Sequence, residues 1–302
     1  MAKILVADGM DKKAAAELKS LGHELIEEHY ELAELNEKIK DVDAIIIRSA
    51  TKLRKETIDA AKETGKLKVM IRAGVGLDNI DVQYAKDNGF AVRNTPSASS
   101  SAVAELAIGH MFTLARHIHS ANVTMRNGQW NKKAYKGIEL GGKTLGLIGF
   151  GRIAQSTADK ANALGMNVIY TDCLGQKEGC DQFKFRTKEE LIKESDFISL
   201  HIPYIKEVGA VLGENEFDMM KDGTYIVNCA RGGVVDEKAL LNALDTGKVA
   251  AAAVDVFEEE PTPNEALINH EKVSVTPHIG ASTAEAQSRI GDEIIDIIKE
   301  YF

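Results

Sequence analysis

Short apolar runs alternate with amphipathic helical segments along nearly the whole chain, and that alternation predicts an α/β protein whose parallel sheets are covered by helices on both faces. Two further observations divide it. At 302 residues the chain is long for a single core, and the pattern breaks at Asn94-Thr95-Pro96, where proline pushes its predecessor out of helical geometry. The expectation is two doubly wound parallel-sheet domains with a cleft between them. Residues 1–94 together with 282–302 form one, and residues 95–281 the other.

In the first domain KILVA, HELIE, DAIIIRS, KVMIRA and FAVRN read as strands, separated by helices near residues 11–21, 32–39, 57–61 and 81–87. Two of these strands finish on a cation, Arg48 and Arg72. Ligands gather at the carboxyl ends of strands in open α/β sheets, so both arginines are candidates to hold an anionic substrate. Taken singly, each reads equally well as a solvated surface cation. After the proline, a serine-rich run from Ser97 to Ser101 supplies capping hydroxyls for a long apolar helix over residues 102–117. His110, His117 and His119 lie on or near that helix without a carboxylate or cysteine to complete a metal set, and read as packing or surface histidines.

The stretch TLGLIGFGRIAQSTADKANALGMNVIYTD, residues 144–172, is one strand-helix-strand unit. Gly149 allows a tight turn, Gly151 lets backbone approach a pyrophosphate, and Ala154 is small enough for close helix-sheet packing. The helix N–H groups then face the phosphates. Asp172 ends the second strand, where its carboxylate can accept from both ribose hydroxyls and repel a 2′-phosphate, favouring NAD over NADP. The architecture expected is therefore Rossmann-like or flavodoxin-like in both domains.

A helix near residues 187–194 follows, then FISLH, a helix near 215–220, and the strand TYIVNCA, which runs into Arg231-Gly232-Gly233. Next come a helix near 236–244, the strand VAAAAVDVF, the acidic loop Glu258-Glu259-Glu260 before Pro261, and KVSVTP, which runs into His278-Ile279-Gly280. The final helix, near 283–301, is amphipathic and long enough to return to the first domain.

Acidic residues outnumber basic ones, 46 to 37, which argues against nucleic acid or a membrane surface as the main partner. The N-terminus shows no signal-peptide pattern and no run approaches transmembrane length, so the cytoplasm is expected. Cys173, Cys180 and Cys229 lack zinc spacing and read as free thiols.

Hydride transfer between a nicotinamide and a secondary alcohol carbon needs a group that moves the hydroxyl proton, a cation for the neighbouring carboxylate, and exclusion of water. His278 suits the first task, because imidazole titrates near neutrality. Glu260, if paired with it, would favour the protonated ring and fix its tautomer, and Arg231 can bind a carboxylate as a fork. Each also has a plain structural reading as a loop histidine, a solvated acid or a surface arginine. Their joint position in strand-end loops of one nucleotide domain favours chemistry.

RSATKLRKETIDAA, RAGVGLDNIDVQYA, NTP, GFGRIA, VNCARGGVVDEKAL, AAAVDVFEEEP and TPHIGASTAEAQ together resemble the D-isomer-specific 2-hydroxyacid dehydrogenases over nearly the full length. The resemblance implies a catalytic set of Arg231, Glu260 and His278, with Glu260 chosen as the glutamate directly before proline. It implies NAD contacts at Val75, Gly149, Gly151, Arg152, Ile153, Asp172, Ile202, Cys229, Ala230, Arg231, Asp255 on the carboxamide, His278, Gly280 and Ala281. It maps Arg48, Ser49, Arg72, Gly74 and Gly76 to substrate loops, adds Arg231 and His278 as substrate contacts, and implies that Arg48 and Arg72 serve the phosphate and carboxylate of a phosphorylated 2-hydroxy acid. Within the family the chain looks most like the branch that oxidises 3-phospho-D-glycerate to 3-phosphooxypyruvate at the entry to serine synthesis. Glyoxylate or hydroxypyruvate reduction is the alternative on the same scaffold, and an NAD-sensing corepressor the alternative of another class. A homodimer is implied, with an arm near residues 125–130 in which Trp130 reads equally as arm or core. Ser99 departs from the family's usual asparagine, and with the chain stopping at Phe302 no serine-binding regulatory domain is expected.

Overall fold

The computed structural model describes residues 1–302, which divide into two compact units: Met1–Ser99 with Ala281–Phe302, and Ser100–Gly280. Residues 95–99 stay with the first unit, beyond the crossing expected at Asn94. Thr95 N donates to Gly74 O at 3.1 Å and Arg289 Nε donates to Ala98 O at 2.8 Å, tying this segment at both ends.

In the first unit β1 (Lys3–Val6), α1 (Lys12–Ser20), β2 (Glu24–Glu27), α2 (Leu32–Lys38), β3 (Ala44–Ile47), α3 (Lys55–Lys62), β4 (Val69–Arg72), α4 (Val82–Asp87) and β5 (Ala91–Asn94) alternate as the sequence predicts. The sheet is parallel throughout, in the flavodoxin order β2-β1-β3-β4-β5. β3 is fully buried and continuously apolar because a central parallel strand is covered on both faces. Arg48 and Arg72 therefore lie at the carboxyl ends of paired strands. The C-terminal helix, Ala284–Tyr301, is capped by Thr283 and buries Ile290, Ile294, Ile295, Ile297 and Ile298 with Ile4, Val6 and Leu18 of this unit.

The second unit opens with α5 (Ser100–Arg116) and α6 (Ile118–Arg126) and continues through β6 (Thr144–Ile148), α7 (Arg152–Ala163), β7 (Asn167–Thr171), β8 (Lys184–Phe185), α8 (Lys188–Glu194), β9 (Phe197–Leu200), α9 (Glu214–Met219), β10 (Thr224–Asn228), α10 (Glu237–Asp245), β11 (Val249–Val254), α11 (Glu265–Ile268) and β12 (Val273–Val275). The C-terminal helix is α12. Its parallel sheet runs β12-β11-β10-β9-β6-β7-β8. From the β8 edge this is the Rossmann order with one strand added, and its order reverses between β6 and β9, where a dinucleotide binds in such sheets. Aliphatic and aromatic clusters cover both faces, one around Leu145, Leu147 and Phe197, the other around Ile148, Ile198 and Leu200.

Two features differ from the sequence reading. The long helix starts at Ser100, so Ser100 and Ser101 lie in its first turn, and Ser101 Oγ donates to Glu105 at 3.0 Å. α6 was not expected, because no residue on it is buried and its sequence has no core-facing stripe. Trp130, left open between arm and core, is 79% exposed. No helix is long and apolar enough to cross a membrane.

Candidate active site

The turn after β6 is shaped by backbone. Gly149 has φ +87°, and a Cβ there would stand 2.5 Å from the His201 carbonyl oxygen and 2.6 Å from Ile202 Cγ2. Only glycine lets this turn close against the end of β9. At Gly151 a Cβ would meet nothing within 4 Å, and no side chain caps α7 there, so its first N–H groups have no capping side-chain acceptor. That is a cradle a phosphate fits. Arg152 is exposed beside it, and Ile153 packs on the core beneath.

Asp172 closes the other side. Its Oδ2 accepts from Phe150 N at 2.7 Å, and its Oδ1 from Leu174 N at 2.9 Å and, weakly, from Cys173 Sγ at 3.8 Å, which aims the carboxylate and leaves Oδ2 a lone pair for a ribose hydroxyl. The turn, the open helix start and the acid thus fit the adenosine diphosphate half of NAD.

The second cluster joins three loops from the carboxyl ends of β10, β11 and β12. His278 Nδ1 lies 2.8 Å from Glu260 Oε2, and Glu260 Oε1 accepts from Phe257 N at 3.2 Å. Burial works against the Glu260 carboxylate, but the hydrogen bond and charge of His278, the Phe257 N–H and the Arg231 charge outweigh it and hold its pKa below the usual range. An ionised carboxylate only accepts, so Nδ1 carries the proton and Nε2 is left to exchange one with a ligand. His278 is held at φ +53°, a left-handed conformation that costs energy for a residue with a Cβ. Its own N–H donates to Asp255 O at 2.8 Å.

Arg231 joins them through close backbone packing. A Cβ on Gly232 would collide with the Phe257 carbonyl and the Glu258 nitrogen, so glycine alone lets the Arg231 loop lie against the strand end that leads to Glu260. Buried Asn228 braces the turn: its Nδ2 donates to Arg231 O at 3.0 Å and its Oδ1 accepts from Ala230 N at 3.1 Å. Arg231 Nη1 donates to Ala230 O at 2.6 Å, and Cys229 is buried. Asp255, expected on the carboxamide, is 1% exposed and accepts from Thr276 Oγ1 at 2.6 Å, Ile279 N at 2.9 Å and Gly280 N at 2.9 Å. In this structure it organises the His278 loop.

The remaining candidates lie in the first unit. Asp8 Oδ2 accepts from Arg48 N at 2.6 Å and Thr51 N at 3.0 Å, while Asn79 Nδ2 lies 2.7 Å from both Arg48 O and Thr51 O, so the RSAT loop is clamped from both sides. Arg72 Nη2 donates to Ser49 Oγ at 3.2 Å. Gly74 N donates to Arg72 O at 2.9 Å, Val75 O accepts from Asn94 Nδ2 at 2.6 Å, and Gly76 is half-buried one residue further on. Ala281 O accepts from Gln287 Nε2 at 2.9 Å. Asp8, Asn79 and Asn228 escaped sequence reading, because a polar side chain that holds a loop has no local pattern.

Residues 108–280 match the family described as D-isomer specific 2-hydroxyacid dehydrogenase, NAD binding domain. The chain is 48% identical to a hydroxypyruvate reductase of Thermotoga maritima over 99% of its own length and 98% of that protein. It is 45% identical to a D-3-phosphoglycerate dehydrogenase of Methanocaldococcus jannaschii over 99% of its length, but spans only 57% of that longer chain. A glyoxylate reductase structure from Paecilomyes thermophila superposes with TM-score 0.89 at 32% identity, covering 99% of this chain and 94% of the other. The chain belongs to the D-isomer-specific 2-hydroxyacid dehydrogenases, and NAD is the cofactor of its second unit.

Proposed function

We propose that the chain oxidises 3-phospho-D-glycerate to 3-phosphooxypyruvate, as a cytoplasmic homodimer. NAD, when bound, supplies the hydride acceptor. His278 Nε2 takes the hydroxyl proton, while Glu260 orients the ring through Nδ1 and stabilises the charge it acquires. Arg231 forks the substrate carboxylate and steadies the developing carbonyl oxygen. The observation that carries the choice of substrate is the pair of strand-end guanidinium groups, Arg48 and Arg72, with Ser49 beside Arg72. Two cations at the ends of adjacent strands suit a substrate that carries a phosphate as well as a carboxylate.

Hydroxypyruvate or glyoxylate reduction is the second reading, favoured by the 48% identity to the Thermotoga maritima protein over 98% of that chain. The two separate on kcat/KM for 3-phospho-D-glycerate and 3-phosphooxypyruvate against hydroxypyruvate and glyoxylate, with Arg48→Ala alongside. A loss confined to the phosphorylated pair supports the first reading, and an equal loss on all four defeats it. Cytoplasmic residence accords with three unpaired cysteines. Dimerisation accords with exposed Phe112, Ile118, Val123 and Met125 on α5 and α6, and Trp130 just beyond, large apolar side chains that a partner could cover.

A further inference from the structure

We propose that His110 and Thr276 are positioning residues that hold the His278 loop in its working geometry through Asp255. The inference rests on the reading of His278 as the proton carrier. His110, near the middle of α5, is 4% exposed, and its Nε2 lies 3.2 Å from Thr276 Oγ1, 166 residues away in sequence. Thr276 spends its single hydroxyl proton on Asp255 Oδ1 at 2.6 Å, so the contact with His110 requires Nε2–H to be the donor. Asp255 passes the constraint on, taking Ile279 N on the same oxygen and Gly280 N on the other. The two amides immediately after His278 are thereby fixed to a buried carboxylate, while the His278 N–H is fixed to Asp255 O and Thr276 O.

This arrangement answers two physical needs. A left-handed non-glycine residue persists only where its surroundings over-determine it, and at His278 every adjoining amide is bound to Asp255 or Thr276. A buried carboxylate also needs its acceptor sites filled. Burial lowers the His110 pKa against the opposing pull of Asp255, keeping the ring neutral, with a donor toward Thr276 and no second charge in the interior. Groups behind a reacting side chain typically govern activity about 10- to 100-fold when removed, by analogy with the outer shell of metal ligands.

Thr276→Val removes the hydroxyl at nearly constant volume, Thr276→Ser keeps it, and His110→Phe removes the donor from α5. Thr276→Val is expected to lower kcat about 10- to 100-fold with KM for the hydroxy acid changed less than about threefold, and Thr276→Ser to restore kcat to within about threefold. His110→Phe should lower kcat in the wild-type background and cause no further loss in Thr276→Val, because both act through one hydroxyl. Amide hydrogen exchange on the full chain without cofactor supplies a readout that needs no turnover: Ile279 and Gly280 should exchange at least about tenfold faster in Thr276→Val and return toward wild type in Thr276→Ser. Multiplicative losses of kcat in the double variant, failure of serine to rescue, or unchanged exchange at both amides would overturn the proposal. A wild type inactive on every 2-oxo acid would defeat the proposed function instead, and the brace would then stand or fall on exchange alone.

Discussion

His201, once protonated, should weaken the fold in acid. It follows β9, its N–H donates to Ile148 O at 2.8 Å, its carbonyl oxygen is the atom against which Gly149 closes, and its Nε2 lies 3.0 Å from the buried Ser199 hydroxyl. Burial pushes its pKa down from 6.5 to about 4. The folded chain holds the ring neutral while the unfolded chain protonates it near pH 6.5, so in between the unfolded state binds the extra proton and stability falls with falling pH. Linkage puts the loss at about 2 kcal/mol by pH 5 and about 3 kcal/mol by pH 4, all of it absent above pH 7. Urea unfolding of the wild type and His201→Gln at pH 7.5, 6, 5 and 4.5 reads this term directly, since the other titrating groups are common to both. The wild type should lose about 2 kcal/mol relative to the variant between pH 7.5 and pH 5. Parallel stability curves would refute the reasoning.

Asp172→Ser removes the carboxylate proposed to meet the ribose and also frees the Phe150 and Leu174 amides. KM for NAD should rise about 10- to 150-fold, the worth of a charged hydrogen bond, while NADP turnover improves, as initial rates with each cofactor will show. Gly232→Ala drives a methyl into the Phe257 carbonyl and should cost about 1–3 kcal/mol, checked by chemical denaturation, with kcat falling as Arg231 and Glu260 separate. Ile118→Glu puts a charge on the exposed α6 face, and sedimentation velocity should find the variant monomeric and the wild type dimeric.

The fold was legible because it rests on period and punctuation. β3, β4 and β6 are apolar runs of strand length, and Asp11, Thr187 and Asp236 each cap a helix where the pattern changes. The fingerprint turn was legible because its requirements are local: a positive φ at Gly149 and open space at Gly151 concern neighbouring residues. Illegible were the contacts that join distant segments. His110 was read as a packing or surface histidine, and its burial fits packing, but nothing in the sequence links it to Thr276. Asn228 and Asp8 each order a loop that carries a candidate arginine, a role fixed by sheet topology and absent from their own neighbourhoods. α6 escaped for the opposite reason, since its apolar residues, Ile118, Val123 and Met125, are exposed and mark no core-facing side within the chain.

In the proposed reaction the imidazole held by Glu260 carries the proton in an NAD-linked interconversion of a 2-hydroxy acid and its 2-oxo acid. The most direct measurement is single-turnover oxidation of NADH by saturating 3-phosphooxypyruvate or hydroxypyruvate, followed by nicotinamide absorbance, in the wild type and in His278→Ala, with NADH affinity measured separately by fluorescence. The account predicts a rate lower by about 10²- to 10⁴-fold in the variant, with NADH still bound. Equal rates in the two proteins would contradict it.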